Sequence, residues 1–225
     1  TEAEMISAAV SKGVDGIIVT PHLPFKDFDG AIAALGRKVP LTLVDNCFPG
    51  SGVDFVSTDN RKGAAELVKR LFSSGRRRIA YLGSAKGLSA AQERYKGFQD
   101  GLGICGLKVE PRLVRRTLSG EDGLTEALNS LLEAKVDALF VESFQYFKTG
   151  LEMLDLRRIK TPEDVSLAGF DSLPQPRSGV VCCLQDGEAI GRLAASRLKE
   201  TMLSKANSSG SPLELYIEPK IVADI

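Results

Sequence analysis

The sequence contains few of the residues that build metal and disulfide sites. Its 225 residues include no tryptophan, one histidine and four cysteines without a Cys-x-x-Cys pair. A single histidine excludes a His-rich zinc cluster and leaves only one imidazole for a Ser-His-Asp arrangement. The adjacent Cys182 and Cys183 are poor disulfide partners for each other. The cysteine pattern therefore favours a reducing, cytoplasmic compartment.

An excess of one charge and a long apolar run are also absent. The 29 Lys and Arg residues balance 29 Asp and Glu residues. No apolar stretch approaches the ~20 residues that span a bilayer, and nothing resembles a signal peptide. Duplex DNA requires a basic surface, because phosphate neutralisation supplies most of the sequence-independent binding energy. We therefore expect neither a membrane contact nor a direct DNA contact from this chain.

Short aliphatic runs alternate with segments of helical period, which indicates an α/β protein. In the helix predicted from residue 61, apolar side chains recur every three or four residues, at Ala64, Leu67, Val68 and Leu71. Strands separated by one helix each imply βαβ units and mostly parallel sheets covered on both faces. The predicted strands are 16–20, 41–45, 55–58, 78–83, 113–118, 138–142, 165–171, 180–184 and 215–222. The predicted helices are 27–36, 61–74, 89–102, 121–134, 146–156 and 187–203.

In such sheets ligands bind outside the carboxyl ends of the strands. These positions are rich in hydrogen-bonding side chains, which suits a small polar ligand, although carboxylates there more commonly cap helices. An aromatic ring at Phe144 is placed to stack on a ligand. His22 has no activated nucleophile beside it, so it reads as a ligand contact or a simple loop histidine. The positions are 20–22, 45–46, 59–60, 84, 142–144, 171–172 and 185–186.

Two glycine-rich segments fail as cofactor motifs. Gly101–Gly106 matches G-x-G-x-x-G, but a predicted helix precedes it, whereas a dinucleotide site requires a strand there. Its glycines are better explained as the end of that helix. The turn at 83–87 lacks the G-K-[ST] ending of a phosphate-binding loop. We therefore predict no cofactor, no metal and, without a nucleophile-base pair, no enzymatic activity.

Four segments match one known family in order: 56–60, 79–83, 93–98 and 162–171. The last reads P-E-D-V-S-L-A-G-F-D and is the most specific of the four. On these segments the chain resembles the effector-binding core of the lactose-repressor/galactose-repressor (LacI/GalR) family of transcription regulators, essentially from end to end.

The resemblance implies a periplasmic-binding-protein-like type I fold. Two doubly wound parallel-sheet lobes would be joined by three crossovers, with a ligand cleft between the lobes, in a homodimer. Residues 1–76 and 186–208 would form the N-terminal lobe, and 77–185 and 209–225 the C-terminal lobe. Family members begin with a helix-turn-helix head. We expect that head and the opening strands of the N-terminal lobe to be missing here, so that operator DNA would be bound only through the missing domain.

The resemblance also implies binding residues. Arg94 matches an arginine that reaches ligand hydroxyls or carboxylates, and Asp171 matches an aspartate that accepts from the ligand. The chain departs from the family at Ser143 and Phe144, where Asn-Asp or Ser-Asp is frequent, and at Asp186, which replaces a glutamine. We hypothesise that Phe144 stacks on a sugar-like or other polar metabolite while Arg94, Asp171 and Asp186 hold its polar edge. Ser143 and His22 complete the predicted set.

The predicted function is effector sensing in a transcriptional regulator, most often a repressor in this family. Three alternatives stay open at this point. The chain could be the solute-binding protein of a sugar transporter, an enzyme that uses the G-x-G-x-x-G segment for a cofactor, or a regulator whose effector is a protein co-repressor.

Overall fold

The computed structural model describes residues 1–24, 26–28, 30, 39–117, 121–171, 177–204 and 211–224. The chain forms two compact units. The first unit contains Thr1–Asp59, Gly87–Ala90 and Asp186–Glu218. The second unit contains Asn60–Lys86, Ala91–Gln185 and Pro219–Ile225.

Strands and helices alternate along most of the described chain. The strands are β1 (Ile17–Val19), β2 (Leu41–Val44), β3 (Asp54–Thr58), β4 (Ile79–Ser84), β5 (Val114–Thr117), β6 (Ala138–Val141), β7 (Ser166–Phe170), β8 (Val180–Leu184), β9 (Glu214–Ile217) and β10 (Lys220–Asp224). The α-helices are α1 (Glu2–Ser11), α2 (Asn60–Ser73), α3 (Ser89–Ile104), α4 (Glu121–Glu133), α5 (Phe144–Leu156) and α6 (Gly187–Leu203).

The first unit is built on a parallel sheet with strand order β1-β2-β3-β9. Successive side chains of a strand point to opposite faces. Phe55 therefore packs with Ile6 of α1 on one face, and Val56 packs with Ile190 and Ala194 of α6 on the other. Helices consequently cover both faces of this sheet.

The second unit is built on a six-stranded sheet with order β10-β8-β7-β6-β4-β5. All neighbours are parallel except β10, which runs antiparallel to β8. Tyr81 and Phe140 lie in an apolar cluster with residues of α2 and α3, whereas Leu82 and Val141 lie in a second cluster with residues of α4 and α5. Burial on both faces explains why these strands read as continuous apolar runs.

Two glycines allow α3 to lie close against α2. A Cβ on Gly97 would point at the carbonyl oxygen of Arg61 and lie 2.8 Å from the Cβ of Ala64. A Cβ on Gly101 would lie 2.7 Å from that of Val68. The helix continues through Gly101 to Ile104 and is followed by Gly106 at φ +72°. The G-x-G-x-x-G segment is therefore helix interior and helix end, as the sequence indicated.

The structure corrects two predicted elements. The single strand predicted at 215–222 is two strands, β9 and β10, which pair with different sheets; Pro219 lies between them and has no N–H to donate to a ladder. The helix predicted at 146–156 begins two residues earlier, so Phe144 is its first residue. The helix predicted at 27–36 falls largely outside the described residues.

The boundaries of the compact units differ from those of the predicted lobes. Helix α2, predicted in the N-terminal lobe, belongs to the second unit because it packs on β7 and β8. Residues 211–218, predicted in the C-terminal lobe, belong to the first unit because β9 pairs with β3. Among the described residues, no helix is both long enough and apolar enough to cross a membrane.

Candidate functional site

The carboxyl ends of the parallel strands in the second unit carry a connected set of polar side chains. Strands β6, β7 and β8 are neighbours in the sheet. Glu142, Asp171 and Gln185 follow these strands directly. Carboxyl ends of neighbouring parallel strands meet at one edge of a sheet, and ligands of α/β proteins bind at that edge. We call this edge of the second unit the ligand edge.

Arg94 is the centre of the ligand edge. It is only 6% exposed. Its Nε donates to Asn60 Oδ1 at 2.7 Å, its Nη1 to the backbone oxygen of Glu142 at 2.9 Å and its Nη2 to Gln185 Oε1 at 3.2 Å. A guanidinium has five N–H donors, so these three bonds leave two for other partners. No described carboxylate oxygen lies within salt-bridge distance of this guanidinium.

The helix and the sheet together fix the position of Arg94. It lies on α3 four residues before Phe98, and residues four apart share one helix face. Phe98 is fully buried on the sheet. Gly97 permits the close approach of α3 to α2 described above. The guanidinium carbon also lies 3.9 Å from the ring centroid of Phe170, the last residue of β7, in a cation–π contact.

Asp171 is joined to Arg94 through Gln185. Its Oδ1 accepts from Gln185 Nε2 at 2.9 Å, while the amide oxygen of Gln185 accepts from Arg94. Asp171 adopts φ +73°, the left-handed region that a non-glycine residue rarely adopts. Left-handed residues of this kind cluster at binding and active sites. The structure therefore brings together two of the predicted binding residues, Arg94 and Asp171.

The family motifs point to Asp186, whereas the structure places its neighbour Gln185 between Arg94 and Asp171. Asp186 is the N-cap of α6 in the first unit, and its Oδ1 accepts from the backbone N–H of Ala189 at 2.8 Å. An N-cap carboxylate satisfies one of the free N–H groups at the start of a helix. This contact gives Asp186 a structural task, and its ligand role stays a prediction.

Ser143 and Phe144 begin helix α5 in the second unit. Ser143 is the N-cap residue but makes no side-chain capping bond. The Phe144 side chain is 40% exposed, which is high for a large aromatic residue. Both residues directly follow Glu142 at the end of β6, and this position is consistent with contact to a ligand. Their roles as ligand contacts stay predictions.

Glu142 is a buried carboxylate at the ligand edge. It is 5% exposed, and its Oε2 accepts from the backbone N–H of Ser84 at 2.7 Å and from the hydroxyl of Tyr81 at 3.0 Å. Gly83 provides the space, because a Cβ there would collide with Oε2. Burial raises the pKa of Glu142, and the guanidinium groups of Arg94 and Arg116 oppose that rise.

His22 lies in the first unit and is not joined to the Arg94 network. Its side chain is 77% exposed. Its Nδ1 lies 2.8 Å from the backbone oxygen of Thr20, and its backbone N–H donates to Glu2 Oε1 at 2.5 Å. These contacts describe a loop histidine, and a ligand contact through His22 stays a prediction. Within the described ranges, no group of three or more His, Cys, Asp or Glu residues could hold a metal ion.

Comparisons with known proteins identify relatives over almost the whole chain. The model of the periplasmic binding protein-like domain family matches residues 68–223. The transcriptional regulator DegA of Bacillus subtilis is 24% identical over 223 residues, which cover 98% of this chain and 66% of DegA. The transcriptional repressor CytR of Escherichia coli is 25% identical over 218 residues, which cover 94% of this chain and 63% of CytR.

A solved structure shows the same fold. The complex of the transcriptional regulator CelR with cellobiose matches with a TM-score of 0.85 and 24% identity, over 99% of this chain and 69% of that chain. The chain thus spans about two thirds of the length of the curated relatives it matches.

Proposed function

Because this chain belongs to the periplasmic binding protein-like domain family, we propose that it is the effector-sensing core of a LacI/GalR-type transcriptional regulator. We further propose that this regulator is a repressor. The family and the fold class expected from the sequence motifs are thereby confirmed. The relatives DegA and CytR are regulators, which supports a regulator over the solute-binding protein of a transporter.

The observation that carries the proposal is the chain of contacts from Asn60 through Arg94 and Gln185 to Asp171. Two of its members, Arg94 and Asp171, have hydrogen-bonding groups that no described residue uses. Arg94 retains two N–H donors, and the second oxygen of Asp171 accepts from no described residue. A ligand with neighbouring hydroxyl groups can accept from the guanidinium and donate to the carboxylate. Charge-assisted hydrogen bonds of this type are the strong ones. The ligand class is therefore a sugar or another small polar metabolite.

Sensing requires no chemical step. An effector that binds one conformation of the protein more tightly than another shifts the population by its difference in affinity. We propose that this shift changes the affinity of the full-length regulator for its operator. In this proposal the protein is a cytoplasmic homodimer, DNA is bound by a helix-turn-helix domain outside these residues, and the effector is released unchanged.

The experiment is a ligand screen on matched variants. Purified chain is tested by thermal shift and then by calorimetry against mono- and disaccharides, including cellobiose and ribose. We expect at least one sugar to bind. We expect Arg94→Lys to weaken that binding by about tenfold or more, because a lysine cannot reproduce the forked donors of arginine. The control is Arg112→Lys, whose side chain is 67% exposed.

A second variant guards against misfolding of the first. Asp171→Asn keeps an oxygen for Gln185 and suits the left-handed backbone, where Asn is one of the favoured non-glycine residues. It removes only the negative charge. Both variants should bind the sugar more weakly while the control binds it as the unmodified chain does. A sugar that binds all four proteins equally well would overturn the proposed site, and a chain that binds no sugar would overturn the proposed ligand class.

A further inference from the structure

One buried carboxylate at the ligand edge has an oxygen that the protein does not use. The Oε2 atom of Glu142 accepts two hydrogen bonds, from Ser84 N–H and from Tyr81 O–H. Its Oε1 accepts none from any described residue, and it is not among the buried polar atoms sealed from solvent without a partner. A side chain that is 95% enclosed thus presents one free anionic oxygen to the outside.

The two bonds to Oε2 fix what the free oxygen can do. The bonds from Ser84 and Tyr81 to Oε2 favour the ionised form of Glu142 and so oppose the rise in its pKa that burial causes. In that form the open oxygen Oε1 can only accept. The Arg94 guanidinium favours the ionised form but makes no ion pair with it; Arg94 instead donates to the backbone oxygen of the same residue. Arg116 acts in the same direction.

Asp171 supplies a second free anionic oxygen at this edge. Strands β6 and β7 are paired, with Val141 opposite Gly169, so Glu142 is level with Phe170 and Asp171 follows one residue later at the same edge. Glu142 and Asp171 each have one oxygen held by the protein and one without a described partner. The guanidinium groups of Arg94 and Arg116 lie near Glu142, but neither of them donates to its open oxygen. A hydrogen bond from a cationic donor to a carboxylate is stronger than one from a neutral hydroxyl group. An ammonium group is such a donor and carries three N–H groups.

We propose that Glu142 is a specificity-determining residue whose Oε1 binds a protonated amine, and that the effector is an amine-bearing sugar or a similar amino polyol. This inference rests on the proposed function, because Arg94 and Asp171 hold the hydroxyl groups of the same ligand. Glu142 contributes selectivity for the amine, and a neutral sugar of the same shape binds more weakly.

The test compares matched ligand pairs by calorimetry at pH 7. The pairs are glucose with glucosamine, galactose with galactosamine, and mannose with mannosamine. We expect at least one amine to bind about tenfold or more tightly than its neutral partner, which is the effect of one hydrogen bond to a charged group. Glu142→Gln keeps an oxygen for Ser84 and Tyr81 and removes the charge, so the preference should fall to about threefold or less. The control is Glu133→Gln, an exposed position on α4.

The outcomes separate this inference from the proposed function. An amine preference that is lost in Glu142→Gln and kept in Glu133→Gln supports both. Neutral sugars that bind at least as tightly as their amines overturn the inference and leave the sugar-sensing function standing. An amine preference that survives in Glu142→Gln, with the variant folded by circular dichroism, overturns the role of Glu142. Absence of binding by every sugar and every amine overturns the inference together with the proposed ligand class.

Discussion

Replacing Gly97 with alanine should destabilise the protein, although alanine is the better helix former. Gly97 lies inside α3, where a glycine-to-alanine change by itself stabilises by about 1 kcal/mol. At this position the added methyl group would collide with the carbonyl oxygen of Arg61 and lie 2.8 Å from the Cβ of Ala64. Overpacking of this kind costs roughly 1–3 kcal/mol. A rigid backbone carbonyl places the cost at the upper end, so we expect a net loss of about 1–2 kcal/mol.

Gly103 provides a matched control within the same helix. A Cβ on Gly103 would meet nothing within 4 Å. Gly103→Ala should therefore show the propensity effect alone and stabilise by about 0.5–1 kcal/mol. The two substitutions are chemically identical and are six positions apart on α3. Their effects on the free energy of unfolding should nevertheless have opposite signs.

The assay is urea unfolding followed by far-ultraviolet circular dichroism, since the chain has no tryptophan to serve as a fluorescence probe. Because Gly97 is three residues from Arg94 on α3, Gly97→Ala should also weaken binding of any sugar found in the screen. If Gly97→Ala and Gly103→Ala both stabilise the protein, the close packing of α3 on α2 is wrong.

Two further predictions concern the first unit. The Asp54 carboxylate accepts from Arg197 Nε at 2.8 Å and from the backbone N–H of Leu213 at 2.7 Å. Asp54→Ala should therefore lower the free energy of unfolding by about 2–4 kcal/mol in urea titrations, since both donors lose their acceptor; a change below 0.5 kcal/mol would contradict this arrangement. Burial raises the pKa of Cys47 from 9.0 to about 11. The folded state thus holds the proton more tightly than the unfolded state, and this contribution to stability is complete below pH 9 and is lost as the pH rises towards 11. At pH 8.5 iodoacetamide should label Cys105 well before Cys47 by mass spectrometry, and equal labelling would contradict the burial of Cys47.

The sequence was sufficient for the architecture because its signals are local and repeated. Helix α6 was predicted with its observed bounds, and β8 likewise, since each has a clear apolar period between turn residues. The prediction of a single strand at 215–222 was wrong because apolar residues lie on both sides of Pro219. This proline separates two strands that pair with different sheets. The pairing of strands that are far apart in the sequence does not change the local spacing of apolar residues, so this spacing cannot predict it. The glycines at 97 and 101 permit a close approach of another helix to α3, but the sequence does not indicate that this helix is α2.

The candidate site was less predictable, because it depends on where side chains point. Arg94 and Asp171 were found through the family motifs, and the structure joins them through Gln185. The sequence places Gln185 and Glu142 at strand ends but does not indicate a binding role for either residue. Between the neighbours Gln185 and Asp186, the known preference of aspartate for helix N-caps is the signal that favours Gln185 at the ligand edge. For Glu142 no local signal exists, because Tyr81 is 61 residues away in the chain.

The three bonds that hold Arg94 determine at which step its side chain loses conformational entropy, on folding or on ligand binding. A free arginine side chain has up to about 2 kcal/mol of rotamer entropy, and an arginine ordered only by its ligand loses that freedom at the moment of binding. Here Asn60, Gln185 and the backbone of Glu142 fix the guanidinium when the protein folds. Folding therefore bears this entropic cost before any effector arrives. A ligand that binds Arg94 therefore does not have to order this side chain, and a sugar should bind more tightly than it would to an arginine that is free before binding.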